Sequence, residues 1–467
     1  MEQTRVHAFT DDVLADHDAV GIADLIRRGE VSQSEVEAAA IARIRQVDPT
    51  LNAVAFEAFD RPRRSTDRHA LLYGVPTLIK DNTDVAGMPC NHGTAAYQAK
   101  PSSSDGSYAR QYMSTGMTVL GKSRMPEFGF NATTEYMDAD PVRNPWHTGF
   151  SVGASSGGSA ALVASGAVPI AHANDGGGSI RIPAAAAGLI GLKPSRGRHR
   201  DSEQAAKLPI NMISEGVLTR SVRDTATYFA AAEDHWRNPA LPPVGQVLGA
   251  SRRRLRIGLV LETATGAEVC AQTRATVEHT AALLEKQGHY VEPVTLPVDD
   301  RFAADFTLYW GMLAMLASKF SRYTLDRSFD AGKLDGLTQG LRGHYRRNMR
   351  GTASALYRLR NAHKAYAAMF SRHEVVLSPV LAHVTPRLGH LSPTVPFDEL
   401  LSRLTAYCAY TPLNNIAGTP ALSLPMGMAS EGVPIGVHLS AAHGDERTLI
   451  ELAYGLEEQQ AWPRIQG

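Results

Sequence analysis

The sequence predicts an α/β fold, in which strands and helices alternate along one large domain. An apolar run at residues 255–260 is followed by a helical pattern at 268–286 and by a second apolar run at 290–294. This order is typical of a βαβ unit, whose strands lie parallel in a sheet covered by helices. The composition agrees, since 43% of the 467 residues are hydrophobic and can fill a large core.

The first 60 residues predict a helical layer. Apolar residues recur there at helical spacing, and Ser32 with Glu35 forms a capping box at the start of the second helix. We expect this helix to end at Asp48 and Pro49, because the residue before a proline disfavours helical conformation. The layer (residues 1–60) is expected to pack on the core and to take no part in the chemistry.

Strands and helices alternate more closely between residues 70 and 230, which we interpret as the core of the domain. Strands are expected at 75–79, 117–120 and 168–173, and helices at 107–115 and 159–165. Residues 300–370 differ, since they are helical throughout and contain a cluster of aromatic side chains. Further strands are expected at 375–377, 421–424 and 435–439, before a final helix at 447–458. No linker divides the chain, so residues 1–467 are interpreted as one domain.

Composition and charge exclude several classes of protein. Lys and Arg number 47, as do Asp and Glu, whereas a nucleic-acid-binding protein needs a surplus of positive charge. No apolar run approaches the ~18 residues of a membrane span, and the N-terminus lacks the apolar stretch of a signal peptide. Cys90, Cys270 and Cys408 are odd in number and far apart, which favours a reducing compartment over a disulfide framework. We therefore expect a cytoplasmic protein that binds neither nucleic acid nor membranes.

Glycine is concentrated in one part of the chain. Of the 40 glycines, 11 fall within the 49 residues from 149 to 197, where an even spread would place about four. Glycine allows backbone conformations and close approaches that a side chain would prevent. This stretch is therefore the first place to look for a functional site.

Residues 116–123, GMTVLGKS, satisfy the phosphate-binding pattern GxxxxGK[ST]. Such a loop must follow a buried strand and begin a helix, so that its amides surround a phosphate. Here a helical segment precedes Gly116, and residues 117–120 are themselves predicted as a strand. A P-loop nucleotide-binding protein that uses Lys122 is therefore kept only as a remote alternative.

Residues 153–157, GASSG, satisfy the G-x-S-x-G pattern of the α/β-hydrolase nucleophile. That nucleophile follows a strand, whereas residues 144–149 predict a turn-rich loop. The arrangement also needs a late histidine, for which His438 and His443 are only nominal candidates. We therefore expect Ser155 to act in a different role.

Three segments stand apart: GVPTLIKDN at 74–82, GASSGGS at 153–159 and NDGGGSIRIP at 174–183. Together they resemble the amidase signature family, serine hydrolases that use a Ser–cis-Ser–Lys triad. The spacing agrees, with 75 residues from Lys80 to Ser155 and 24 from Ser155 to Ser179. The resemblance extends over most of the chain, and it implies a mixed, mostly twisted central sheet with helices on both faces.

By this resemblance, Ser179 is the nucleophile, Ser155 relays its proton, and Lys80 is the terminal base. The resemblance also implies a cis peptide bond between Ala154 and Ser155. Since the ordinary pKa of lysine lies near 10.4, the amine must be held neutral by burial before it can accept a proton. The apolar residues 78 and 79, directly before Lys80, are consistent with such burial.

The glycine run before Ser179 is predicted to form an oxyanion hole. Acyl transfer develops negative charge on a carbonyl oxygen, which convergent backbone amides stabilise. We assign this role to the amides of Gly176, Gly177, Gly178 and Ser179. The flanking Asp175 and Arg181 are expected to brace the loop as an ion pair.

The expected activity is hydrolysis of the C–N bond of an apolar or aryl amide through a seryl acyl-enzyme in the catalytic core (70–230). Phe128, Tyr136, Phe150 and Trp310 are predicted to line the substrate pocket, with 300–370 as a helical pocket segment. A carbamate or ester hydrolase, or a hydrolase of nylon-type oligoamides, remains an alternative, because the same triad can serve each. No metal or cofactor is expected. The expected partner is a small-molecule amide or carbamate, and a homodimer stays open.

Overall fold

A mixed β-sheet of eight strands forms the centre of the protein in this computed structural model, which describes residues 5–263, 265–298 and 300–466. Residues 1–4, 264, 299 and 467 of the predicted domain lie outside the described residues. The described strands are β1 (Val54–Glu57), β2 (Pro76–Lys80), β3 (Thr118–Ser123), β4 (Arg143–Asn144), β5 (His147–Ser151), β6 (Ile170–Asp175), β7 (Ile190–Lys193), β8 (Ser214–Thr219), β9 (Arg256–Leu259), β10 (Tyr290–Pro293), β11 (Val375–Pro379), β12 (Ala421–Met428) and β13 (Pro434–Ala441).

Helices alternate with these strands and then dominate between β10 and β11. The described α-helices are α1 (Ala19–Arg28), α2 (Gln33–Leu51), α3 (Ser107–Ser114), α4 (Gly157–Ala164), α5 (Arg181–Ala187), α6 (Val222–His235), α7 (Ala271–Lys286), α8 (Phe302–Thr324), α9 (Gly336–Asn348), α10 (Thr352–Met369), α11 (Phe397–Tyr407), α12 (Pro412–Ala417) and α13 (Glu446–Gln459). None of the described helices combines the length and the apolar character that a membrane span requires.

The central sheet has the strand order β10-β9-β11-β13-β12-β7-β8-β6. β9 pairs in parallel with both β10 and β11, and the other neighbouring pairs are antiparallel. The predicted βαβ unit is therefore β9-α7-β10, and its parallel pairing is confirmed. A separate sheet has the order β1-β3-β2, and β4 pairs with β5 in a hairpin.

Two groups of helices cover the central sheet. α7 and α13 contact β12 and β13 and pack against each other, while α5 contacts the same two strands and packs against α4. Because both groups lie on the same strands, they must occupy opposite faces. The predicted α/β fold, with a mixed sheet and helices on both faces, is confirmed.

The N-terminal helices follow the prediction at their start and depart from it at their end. The capping box of Ser32 and Glu35 is present at the start of α2. The helix does not end at Pro49, however, but continues to Leu51 and is capped by Asn52 in the left-handed conformation. A proline so close to a helix end removes only one hydrogen bond, which the last turn tolerates.

The structure also tests the GxxxxGK[ST] pattern at 116–123 and the G-x-S-x-G pattern at 153–157. β3 runs through the GxxxxGK[ST] pattern, and Lys122 is buried in it with its amine bonded to the Thr83 carbonyl, so the P-loop alternative is wrong. The expected loop at 144–149 is also wrong, because β4 and β5 form a hairpin just before GASSG. β5 pairs only with β4 among the described strands, so the serine does not follow a strand of the central sheet.

Candidate active site

Lys80 is the last residue of β2, and its side chain is completely buried. Its amine nitrogen lies 2.6 Å from Ser155 Oγ, 3.0 Å from Ser156 Oγ and 2.7 Å from Asn174 Oδ1. These neighbours come from the loop before α4 and from β6. None of these three contacts is a carboxylate, so the hydrogen-bond partners of the amine are neutral: two hydroxyls, which can donate or accept, and one amide oxygen, which accepts.

The hydrogen bonds around Lys80 have a defined direction. Ser156 donates its own proton to the Asn174 carbonyl at 3.3 Å, so it accepts from the amine. The Asn174 amide group donates to Asn82 Oδ1 at 3.1 Å, which turns Asn174 Oδ1 toward the amine. Two N–H groups of Lys80 are thereby assigned. The remaining position faces Ser155, and in the neutral amine that position is the lone pair.

The burial of Lys80 sets its protonation state. Removal from water lowers the pKa of the Lys80 amine to about 7, although Glu215 and Asp175 act in the opposite direction. Near neutral pH a substantial fraction of the amine is therefore uncharged and able to accept a proton.

Ser155 is held in place by an unusual backbone. The peptide bond between Ala154 and Ser155 is cis. A Cβ at Gly129 would come within 3.0 Å of Ser155 Oγ, so the loop that carries Gly129 closes directly over this hydroxyl. Ser155 itself is 3% exposed and lines the same cleft as Ser179.

Ser179 lies in the turn between β6 and α5, where it is half-buried. The described hydrogen bonds include none between the hydroxyls of Ser155 and Ser179. Catalytic hydrogen bonds often tighten only when substrate is bound. The structure thus brings Lys80 and Ser155 into direct contact and places Ser179 on the same cleft.

The amides of the glycine run divide into two groups. The Gly178 amide donates to Asp175 Oδ1 at 2.6 Å, so it points away from the cleft, contrary to the expectation for this residue. No described hydrogen bond is donated by the amides of Gly176, Gly177 or Ser179, and all three residues line the cleft. These three amides are therefore the ones available to a developing oxyanion.

Asp175 and Arg181 form a buried, two-pronged ion pair beneath this turn. Arg181 Nε lies 2.9 Å from Asp175 Oδ2, and Arg181 Nη2 lies 3.0 Å from Asp175 Oδ1. Although burial alone would raise the pKa of Asp175, the guanidinium of Arg181 holds it well below its usual range. Asn415, which no sequence pattern indicated, completes the pair: its amide donates to Asp175, and its oxygen accepts from Arg181 at 2.7 Å.

One cleft opens onto both Ser155 and Ser179. Its lining is mostly apolar, its polar residues are uncharged Asn, Ser and Thr side chains, and among the described lining residues none is Asp, Glu, Lys, Arg or His. The helical segment 300–370 contributes only through α8, and the other walls include residues such as Ile182, Met212, Ile213, Leu404, Cys408 and Pro412.

Comparison with known proteins gives this site its context. The Amidase family model matches residues 35–450. The chain is 47% identical to the protein named AmiC of Mycobacterium leprae, over 99% of each chain. It is 31% identical to the 6-aminohexanoate-cyclic-dimer hydrolase of Paenarthrobacter ureafaciens, over 95% of each chain.

The chain belongs to the amidase family. A solved structure of 6-aminohexanoate cyclic dimer hydrolase superposes with a TM-score of 0.87 at 29% identity, covering 98% of this chain and 99% of the other. A bacterial aryl acylamidase of the amidase signature enzymes superposes with a TM-score of 0.82 at 26% identity, over 96% of each chain. This amidase is therefore an amide-hydrolysing enzyme.

Of the four aromatic residues predicted to line the pocket of the amidase, two do so. Phe128 and Trp310 line the cleft. Tyr136 instead donates a hydrogen bond to the Met125 carbonyl at 3.0 Å, beneath the loop that carries Phe128. Phe150 packs in a separate apolar cluster and is covered by the Arg387 guanidinium at 4.8 Å. Since β5 turns Phe150 away from the site, its position could not be read from the sequence.

The remaining polar candidates fill structural positions in the amidase. His438, a nominal triad histidine, is bonded to Arg181 and to Ser378. Among the described residues, no group of three His, Cys, Asp or Glu side chains is arranged to hold a metal ion.

Because the turn before Ser179 is tight, alanine substitution should affect stability very differently at two of its glycines. Gly178 has a φ of +137°, and a Cβ there would lie 2.5 Å from Thr411 Oγ1. Gly178→Ala should lower the free energy of unfolding by about 1–3 kcal/mol, measured by chemical denaturation. The control is Gly176→Ala, whose Cβ would meet its nearest neighbour, Ile213, at an ordinary 3.5 Å. Equal stability of the two variants would contradict this account of the turn.

Proposed function

We propose that this amidase hydrolyses neutral apolar or aryl amides through an acyl-enzyme formed on Ser179. The observation that carries the proposal is the buried Lys80 amine, which lies 2.6 Å from Ser155 Oγ behind a cleft that Ser179 also lines. A serine hydroxyl is a weak nucleophile until a positioned base removes its proton. Neutral Lys80 supplies that base through Ser155.

In the first half of the reaction, Ser179 Oγ attacks the amide carbon of the substrate. Its proton moves to Ser155 Oγ as the Ser155 proton moves to the lone pair of Lys80. The tetrahedral intermediate then breaks its C–N bond, and the leaving nitrogen takes a proton back through the same relay. An ester between Ser179 and the acyl group remains, together with the free amine.

In the second half, a water molecule attacks the ester carbon. Its proton passes through the relay to Lys80, and the bond between the acyl carbon and Ser179 Oγ breaks as that oxygen recovers a proton. In both halves the carbonyl oxygen becomes negative beside the amides of Gly176, Gly177 and Ser179. In other hydrolases, loss of one such donor costs about 3–4 kcal/mol of transition-state stabilisation.

The lining of the cleft supports an uncharged substrate. Phe128, Phe306 and Trp310 offer apolar surface, and a charged group would leave water without an ionic partner among the described lining residues. Amides whose acyl and amine parts are both neutral and apolar therefore fit best.

A nylon-type oligoamide is a second candidate that one observation favours. The hydrolases of the 6-aminohexanoate cyclic dimer are similar to this chain in sequence and in fold. A cyclic dimer has no charged termini, which agrees with the uncharged lining. Aryl carbamates and esters stay alternatives, since their acyl group would be attacked in the same way.

Removal of the nucleophile should stop the reaction completely. We expect Ser179→Ala to hydrolyse amides at least 10³-fold more slowly and to lose covalent labelling by a serine-directed fluorophosphonate, measured by intact-protein mass spectrometry. The control is Ser159→Ala, a serine of the same region whose hydroxyl donates to the His172 carbonyl at 2.6 Å and does not line the cleft. Labelling of the Ser179→Ala protein at an undiminished rate would overturn the assignment.

The pKa of Lys80 predicts the pH dependence of hydrolysis. Below a pKa of about 7 the amine is protonated and has no lone pair, so kcat/KM should fall about tenfold per pH unit toward acid. Burial also lowers the pKa of Lys193 to about 7, although its amine donates to the Pro194 carbonyl and lies outside the relay. In Lys193→Met, kcat/KM should therefore still fall toward acid pH; we call this fall the acid limb of the pH profile. If the acid limb disappeared in this variant, the titrating group would be Lys193 instead of Lys80.

The substrate class can be tested with matched compounds. We expect the acetyl and butyryl amides of p-nitroaniline and the 6-aminohexanoate cyclic dimer to be cleaved. A succinyl anilide, which carries a carboxylate, should have a kcat/KM at least tenfold lower than these neutral compounds. An aryl carbamate and a p-nitrophenyl ester measure the alternatives. Preference for the succinyl compound would refute the assignment to neutral substrates.

A further inference from the structure

Two buried side chains lie behind Lys80, on the side away from the cleft. His172 on β6 is completely buried, and its Nδ1 lies 3.1 Å from the backbone nitrogen of Lys80. Its Nε2 lies 3.0 Å from Oε2 of Glu215, which is 3% exposed on the neighbouring strand β8. A continuous chain therefore runs from Glu215 through His172 to the end of β2.

The direction of this chain is determined by the Lys80 backbone. An amide N–H can only donate, so Nδ1 of His172 must be the acceptor, and the ring proton resides on Nε2 and is donated to Glu215. Burial lowers the pKa of His172, which keeps the ring neutral. The histidine is thus held in one tautomer and one orientation by its two partners.

Resting on the proposed function, we propose that Glu215, through His172, is a positioning residue that fixes Lys80 and sets the pH range in which it acts as a base. Two carboxylates, Glu215 and Asp175, act on the Lys80 amine, and they differ in how they are paired. Asp175 is bonded to Arg181 by two contacts. Among the described residues, Glu215 contacts no guanidinium or ammonium, and its Oε1 has no hydrogen-bond partner. Glu215 is therefore the carboxylate near the amine that has no described Arg or Lys partner of its own, and it acts to raise the pKa of Lys80.

Other described titratable groups surround this chain, but of these only Asp175, which is paired with Arg181, also acts to raise the pKa of Lys80. The surrounding groups are Tyr108 and Tyr112 on α3, Lys122 on β3, Asp175 on β6, His199 and Asp201 after β7, and Tyr228 on α6. The pKa values of Tyr108 and Tyr228 lie well above their ordinary value because both hydroxyls are buried, so both remain neutral. The Lys122 amine donates a hydrogen bond to the Thr83 carbonyl and adds no negative charge near Lys80.

The consequence is a specific shift of the acid limb. A nearby negative charge favours the protonated amine, so removing it favours the neutral base. Glu215→Gln retains an oxygen that can accept from His172 Nε2 but loses the charge. We expect the acid limb to move to lower pH by on the order of one pH unit, with the plateau rate reduced less than about threefold. Glu215→Asp keeps the charge and should restore most of the wild-type limb.

The experiment measures the pH dependence of Ser179 labelling by a fluorophosphonate as well as that of amide hydrolysis. Labelling needs an activated Ser179 but no recognition of a particular amide, so it reports on Lys80 whichever substrate is cleaved. Glu215→Met is a second uncharged variant of similar length, and it serves if Glu215→Gln does not give a cooperative melting transition. The control is Glu37→Gln. Glu37 lies on α2, and its buried carboxylate is paired with Arg64.

The outcomes distinguish the role proposed for Glu215 from the proposed catalytic function of Ser179 and Lys80. A limb that moves to lower pH in Glu215→Gln or Glu215→Met, and stays in place in Glu37→Gln, supports the assignment. An unchanged limb in a folded, active Glu215 variant overturns the role of Glu215 while leaving the catalytic serine and lysine intact. A limb that moves equally in the Glu37 control reduces the effect to net charge and also overturns it. Failure of wild-type labelling would instead refute the proposed function.

Discussion

The desolvation of one amine is the constraint on which the site depends. Lys80 is buried at the end of β2 without a carboxylate in hydrogen-bond contact, and burial brings its pKa down to about 7. A carboxylate placed directly against it would keep it protonated, whereas open solvent would restore its ordinary value. The neutral oxygens of Ser155, Ser156 and Asn174 satisfy the nitrogen without adding charge. In the proposed mechanism, the enzyme thus gains a base from a residue that is a cation elsewhere.

The turn that carries Ser179, in contrast to Lys80, is stabilised by a buried ion pair between Asp175 and Arg181. Asp175 accepts the Gly178 amide and pairs with Arg181, and Asn415 bonds to both from the far end of the chain. Thr411 adds a bond to the Gly177 carbonyl at 2.6 Å. These contacts leave the amides of Gly176, Gly177 and Ser179, three residues that line the cleft, without a described hydrogen bond of their own. An oxyanion site acts well only when its dipoles are oriented before the reaction begins.

The features that the sequence predicted are those with local causes. The capping box of Ser32 and Glu35 and the strand that ends at Lys80 depend on neighbouring residues, and the three characteristic segments are short and contiguous. Asn415 gave no such signal, because its role depends on a contact with Asp175 across 240 residues. Phe150 and Trp310 looked equivalent as aromatic residues, yet only the packing of β5 and α8 decides which one faces the cleft. The Gly178 amide was predicted to belong to the oxyanion hole because it lies in the glycine run. Its hydrogen bond to Asp175 depends on the geometry of the turn, which the sequence does not show.

The separation of chemistry from recognition follows from where these elements lie in the fold. Lys80, Asn174, His172 and Glu215 lie on strands, whose backbones are held by hydrogen bonds to neighbouring strands. The cleft walls come instead from α8, from the end of α11 and from loops such as that at Met212, none of which takes part in the relay. Substitutions in the walls can alter the accepted substrate without displacing the base. The same arrangement can therefore serve relatives with different substrates, and specificity in this amidase must be sought in the helices and loops that form the walls.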